Sequence, residues 1–205
     1  MSRAILLTHP EVAIDPAIPV PDWTLSETGF NRMRAVLDRP WIGGIRHIAS
    51  SAERKARDAA GVVAAHLGLE VRVIPGLGEN DRSATGFLPQ AEFERVADAF
   101  FAQPELSVCG WERAVDAQAR MLAAVEQALE APPGNILPGD ILPGDILIVA
   151  HGAVGALLLC HLMKRPIGRD ADQPGQGGGN LFAFRRGNRE LLCGWQRMEQ
   201  ARLPG

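Results

Sequence analysis

The sequence predicts an α/β protein: a three-layer α/β/α sandwich with a mainly parallel sheet and an antiparallel edge hairpin. Three observations carry this. Short apolar runs bounded by turn residues alternate with longer segments whose apolar residues recur at helical spacing. The alternation persists along nearly all of the 205 residues. The last two apolar runs, NLFAF and ELLCGW, flank a Gly187-Asn188 turn, which is a hairpin signal.

Arg3 to Leu7 is a candidate buried strand ending at Thr8-His9. The Pro-rich stretch from Pro10 to Pro21 is loop. Ser26 has N-cap chemistry, and Phe30, Met33, Val36 and Leu37 give a helix near 26–38. IRHIAS (45–50) is a second strand. Ser50-Ser51 is expected to cap the next helix, with Ala56, Ala59, Ala60, Val63 and Leu67 on its apolar face and Gly68 at its end. EVRVIP (70–75) is a third strand, followed by the polar loop GLGENDRSATGF. Helices are expected near 90–102 and 111–130. DILIVA (145–150) is a fourth strand, and the segment AVGALLLCHLM after it is apolar all round, as a buried helix is. The chain is read as one domain, 1–205, with a small helical cap over 80–130. ILPGD occurs twice in tandem, at 136–140 and 141–145, and reads as a tolerated duplication of turns feeding the fourth strand.

Composition narrows the function classes. Hydrophobic residues make up 46% and charged residues 22%, with a net charge of -3. No long basic run suggests a nucleic-acid partner, and Ala153 to Leu159, the longest apolar run, is too short for a bilayer. Cys109, Cys160 and Cys193 are odd in number and form no CxxC, which fits free thiols in a reducing cytosol. No leader of secretory type opens the sequence, so a cytoplasmic protein is expected.

Two strands end alike, AILLTH and ILIVAH. Parallel strands deliver their carboxyl ends to one edge, where ligands bind, so His9 and His151 are expected to meet there. A histidine after an apolar strand is more often structural; two in matching positions point to a site. Arg54, Lys55 and Arg57 crowd the start of the second helix, an end that already favours anions. Either an anionic ligand offsets them or they are solvated surface charge. Glu79 follows the third strand, with Asp81 and Arg82 beside it. GQGGGN (175–180) lacks the Gly-Lys-Ser/Thr of a phosphate loop, and reads as a plain loop or as a rim of the site. His47, His66 and His161 have no partners in this pattern and read as structural, and no base beside Cys109 suggests thiol chemistry.

These residues resemble the histidine phosphatase superfamily, the phosphoglycerate-mutase-like family, over nearly the whole chain. LLTHP stands where that family has Arg-His-Gly, and LSETGFNRM is similar to its Leu-Thr-x-x-Gly helix start. ASSAERKARDAAGVVAAHLGLEV is similar to Ser-Ser-Pro-x-x-Arg-Ala-x-x-Thr-Ala, GLGE to Leu-x-Glu, and ILIVAHGAVGALLL to the second-histidine motif. The resemblance implies a metal-independent phosphatase with no cofactor, acting on a small phosphorylated substrate. His9 would form a phosphohistidine and Glu79 would protonate the leaving oxygen. His151, protonated, and a cation on the second helix would neutralise the phosphoryl oxygens.

The departures sharpen the reading. Thr8 replaces the arginine before the nucleophile, Pro10 the glycine after it, and Lys55 falls on the second arginine. Lysine neutralises phosphate without the planar fork of arginine. Arg82 is the favoured substitute because its loop must already border the site; Arg54 is a second candidate, while Arg57 points elsewhere. Thr8 keeps a hydroxyl for one hydrogen bond, and Asn180 would border the phosphate. Three alternatives stay open: a non-catalytic phospholigand-binding or regulatory module, a metal site using both histidines and a carboxylate, and, less expected, a mutase.

Overall fold

The computed structural model describes residues 2–130 and 144–204. In chain order its strands and α-helices are β1 (Arg3–Thr8), α1 (Glu27–Ala35), β2 (Ile45–Ser50), α2 (Arg54–Leu67), β3 (Val71–Val73), α3 (Gln90–Ala102), α4 (Ala114–Leu129), β4 (Asp145–Ala150), α5 (Gly152–Leu162), β5 (Asn180–Arg185) and β6 (Leu191–Arg197). The strands form one sheet in the order β3-β2-β4-β1-β5-β6. The first four of these run parallel, β5 is antiparallel to β1, and β6 is antiparallel to β5. The expected α/β sandwich with its antiparallel edge is what forms.

The two-residue period of the strands builds the layers. On β1, Ala4 and Leu6 join a core with Phe100, Met121 and Leu157 from α3, α4 and α5. Ile5 and Leu7 join the opposite core with Met33 of α1 and Ala59 and Val63 of α2. Ile45 and Ile48 share that second core although their spacing is odd; an irregularity between Ile45 and His47 shifts the register. In α5, Val154 through Cys160 are all buried, as an all-apolar helix requires. Among the described residues no helix is long and apolar enough to cross a membrane.

Several boundaries differ from the sequence reading. The first helix stops at Ala35, and the chain then descends in tight turns that bury Trp41 and Ile42. The third strand shrinks to three residues because Pro75 opens a 3-10 turn. The fourth helix starts at Ala114, leaving Trp111 before it to pack on Phe93 and Phe100. Ser50-Ser51 do not cap α2; its N-cap is Glu53, which makes no side-chain cap bond. Of the ILPGD tandem, residues 136–143 lie outside the described residues.

The glycine loop before β5 is seated on the turn after β1. Gly179 N–H donates to the His9 carbonyl at 3.2 Å. Gly178 has φ +60, and a Cβ there would come within 2.1 Å of the same oxygen. From α1, Arg32 binds Glu11 (2.8 Å), Glu199 (2.6 Å) and the Gly177 carbonyl (3.1 Å), which fastens the loop from outside. Gly178→Ala therefore meets both a backbone collision and a left-handed φ. It should cost about 2 kcal/mol or more of stability, read from denaturant unfolding; an unchanged midpoint would contradict this seating.

Candidate active site

Strand register brings the site together. Thr8 pairs with Ala150, so the residues that follow, His9 and His151, emerge side by side. Ser50 pairs with Val149 on one side and Val73 on the other, which places Ser51 and the loop carrying Glu79 at the same edge. The His9 and His151 rings meet edge to face, with centroids 5.1 Å apart.

His9 is oriented by its own turn. Its Nδ1 lies 2.9 Å from the Pro10 carbonyl. A carbonyl only accepts, so Nδ1 carries the hydrogen and Nε2 holds a free lone pair. Proline at this position removes an N–H but keeps the oxygen that sets this tautomer. Burial lowers the His9 pKa to about 4, assisted by the Lys55 and Arg82 cations and opposed by the Pro10 hydrogen bond and the Glu53 charge. The ring is therefore neutral at pH 7, as a nucleophile must be.

His151 is buried, and its Nε2 sits 2.7 Å from Ser51 Oγ and 3.3 Å from Glu53 Oε1. Its buried Nδ1 has no hydrogen-bond partner among the described residues. Burial lowers its pKa well below the ordinary value, reinforced by the neighbouring His9 ring and the Lys55 and Arg82 cations and opposed by Glu53. The lowered pKa favours the neutral ring, and the carboxylate beside Nε2 favours keeping the hydrogen there. Nδ1 is then the atom whose protonation a neighbouring anion would favour.

Glu53 links the charges. It accepts from Lys55 Nζ at 2.5 Å and from the Glu79 N–H at 2.7 Å, besides facing His151. Burial would raise its pKa; the His151 ring, the Lys55 ammonium and the Glu79 amide reverse that and bring it to about 2. Lys55, buried, also donates to the Val20 carbonyl at 2.8 Å.

Glu79 hangs over the start of α5. Its carboxylate accepts from the N–H groups of Val154 (3.1 Å) and Ala153 (3.3 Å), capping that helix from another segment. Its pKa is raised, first by burial and then by Glu53, against the pull of Arg82 and the two amides. A carboxyl with a raised pKa is suited to carrying a proton.

His9, Lys55, Glu79, Arg82, Gly152 and Gln173 line one cavity of about 380 Å³. Arg82 lies over the rings of Phe93 (5.1 Å) and Trp111 (5.7 Å) and has no ion-pair partner among the described residues. Gly175 to Gly178 also line the cavity, so the glycine loop is a rim of the site. Farther out, Arg169 is held by Glu94, Asp98 and Asp172, beside the aromatic walls of Phe93 and Phe101.

Three expected contacts fall elsewhere. Thr8 Oγ1 is buried, donates to Gln173 Oε1 at 2.7 Å and accepts from Asn180 N–H at 3.0 Å, so its hydroxyl is occupied within the protein. The Asn180 side chain is also buried, turns back to Gln173 and the Pro174 carbonyl, and does not line the cavity. Arg54 is exposed and does not line the cavity. The metal-site alternative gains no support, since among the described residues no group of three His, Cys, Asp or Glu side chains could hold a metal ion. Two residues were missed, Glu53 and Gln173. The signal for Glu53 was its place between Ser51 and Lys55 at a helix start, while Gln173 had none in the sequence.

The geometry and the family match agree. The chain belongs to the histidine phosphatase superfamily (branch 1), whose model matches residues 12–191. That stretch begins just after His9, so the placement of His9 rests on the strand register. Among solved structures, the chain is similar to mycobacterial glucosyl-3-phosphoglycerate phosphatase (25% identity, 90% of each chain covered, TM-score 0.71). It shares its fold with Bacillus stearothermophilus YhfR (20% identity, 93% and 94% covered, TM-score 0.73). The fold is likewise that of Entamoeba histolytica phosphoserine phosphatase, solved in complex with 3-phosphoglyceric acid (19% identity, 90% and 91% covered, TM-score 0.65). No curated protein sequence matches the chain significantly.

If Glu53 is the counter-charge that makes Lys55 tolerable in the interior, Glu53→Gln should destabilise the protein by about 3 kcal/mol, and adding Lys55→Met should restore part of that. Urea unfolding at pH 7 measures both. A single variant as stable as the unaltered chain would contradict the linkage.

Proposed function

We propose that this protein is a metal-independent phosphatase that hydrolyses a small phosphomonoester through a phosphohistidine on His9. The observation that carries the reading is the neutral His9 ring with Nε2 free, beside His151 and within the cavity that Glu79 also lines. Membership in the family and likeness to a solved phosphatase support it. His9 Nε2 bonds to phosphorus as the ester P–O bond breaks, and Glu79 passes its proton to the departing oxygen. Water then attacks the phosphohistidine, Glu79 takes its proton, and inorganic phosphate leaves with His9 restored. Arg82 and the α5 N-terminus stabilise the phosphoryl oxygens, and His151 does so once Nδ1 is protonated. The segment 80–130 acts as the cap that closes the outer half of the cavity.

Arg169, fully engaged by three carboxylates, offers no grip for a second anion. This favours esters of neutral or cationic alcohols and argues against a mutase, which must hold two phosphorylated positions. The second reading, a phospholigand binder without turnover, is favoured by the pairing of Lys55 with Glu53, which leaves Arg82 as the uncompensated cation in the cavity.

Acid-labile phosphoenzyme trapped by rapid quench across a phosphomonoester panel decides between them. Label should form faster with esters of neutral alcohols than with phosphoglycerates and vanish in His9→Ala; no label and no turnover would remove the enzyme reading.

The pH profile follows from the two shifted groups. His9 must be deprotonated, so kcat/KM should rise as pH passes upward through about 4. Glu79 must carry a proton, so kcat/KM should fall as pH passes its raised pKa. A bell is expected, with its acid limb near 4 from His9 and its alkaline limb above the ordinary carboxylate range from Glu79, and Glu79→Gln should abolish the alkaline limb along with most of the rate. A profile with no alkaline limb would contradict these roles.

A further inference from the structure

We infer that Gln173 is an anion-binding residue whose amide nitrogen donates to a phosphoryl oxygen, and that Thr8 and Asn180 are the positioning residues that aim it. The inference rests on the phosphomonoester reading above and adds a donor that neither the motifs nor the family match names.

The aim of the amide is set by a chain of bonds that starts on backbone carbonyls. The Asn180 side-chain nitrogen lies 3.2 Å from the Pro174 carbonyl and 3.5 Å from that of Gly178. Carbonyls only accept, so the atom facing them is Nδ2, a donor. The same Nδ2 lies 3.1 Å from Gln173, whose facing atom must therefore be the oxygen. Thr8 agrees independently. Its hydroxyl oxygen accepts from Asn180 N–H, and of the two acceptors its hydrogen can reach, that Gln173 atom at 2.7 Å is much nearer than the Asn180 carbonyl at 3.3 Å. Two donors converge on Oε1, so Nε2 is the other branch of the amide.

Nε2 points to the anion end of the site. It lies over Gly152, the first residue of α5, where an added Cβ would approach it to 2.4 Å. Gly152, Gln173 and His9 line the same cavity. Nε2 has no acceptor among the described residues. A donor fixed in place, without a partner, beside a helix N-terminus and a nucleophilic imidazole is matched by an acceptor-only oxyanion. The hydroxyl of Thr8 is thereby explained: it reaches the anion through Gln173. Gly152 is explained as well, since any side chain there would displace the amide.

Titration calorimetry of inorganic phosphate into the full chain tests this. Gln173→Glu keeps the Oε1 that Thr8 and Asn180 bind and exchanges the donor for a second oxygen. It should weaken phosphate by about a hundredfold, because a lost hydrogen bond is joined by like-charge repulsion. Gln173→Met keeps the bulk and removes the donor, and should weaken phosphate by about tenfold. Thermal unfolding of each variant confirms that it is folded. Phosphate affinity in folded Gln173→Glu or Gln173→Met within about twofold of the unaltered chain would overturn the assignment, since hydrogen bonds to charged groups are worth more than that. If the unaltered chain binds no phosphate, the anion-site reading falls and this inference with it. If phosphate binding falls in these variants of a chain that never turns over substrate, the inference stands and only the hydrolytic reading fails.

Discussion

The parallel pairing of β1 with β4 is the constraint on which the site depends. Thr8 opposite Ala150 makes the next residue of each strand, His9 and His151, spatial neighbours. A one-residue slip would send the apolar side chains of β1 to the wrong faces, so the two cores hold the register and the register holds the histidines. The backbone then orients His9, with Pro10 setting the tautomer and Gly179 tying the His9 carbonyl to the glycine loop.

Around that pair the charges are arranged with restraint. Lys55 is neutralised by Glu53, burial lowers the pKa of both imidazoles, and burial raises that of Glu79. Among the described residues the cavity therefore holds little uncompensated positive charge beyond Arg82, which is steadied by Phe93 and Trp111. Oriented dipoles supply the remainder: the start of α5 and the Gln173 amide. Such groups stabilise charge without needing to reorganise as it develops.

Much of the fold was legible because it rests on local periodicity: the strand at 45–50, the all-apolar α5 and the terminal hairpin each carry their own signal. His9 and His151 were legible because two strands end alike, and Glu79 only through resemblance. What failed was partnership. Thr8 looks like a ligand-facing hydroxyl, but a buried hydroxyl is claimed by the nearest donors and acceptors, and those come from residues 165 and 172 positions away. Glu53 stands beside a basic run and has no partner in the sequence pattern; folding places His151 and Glu79 against it. Gln173, in a Gln-Pro-Gly turn, has no pattern at all; its role exists only in the packed structure.

The central claim is that His9 Nε2 attacks phosphorus while Glu79 serves the leaving oxygen. A crystal structure with vanadate tests it most directly, because vanadate takes the five-coordinate geometry of the transferring phosphoryl group. The account predicts a bond from vanadium to His9 Nε2, an apical oxygen opposite it facing Glu79, and an equatorial oxygen facing the Gln173 amide. Vanadate bound away from His9, or held through another side chain, would contradict it.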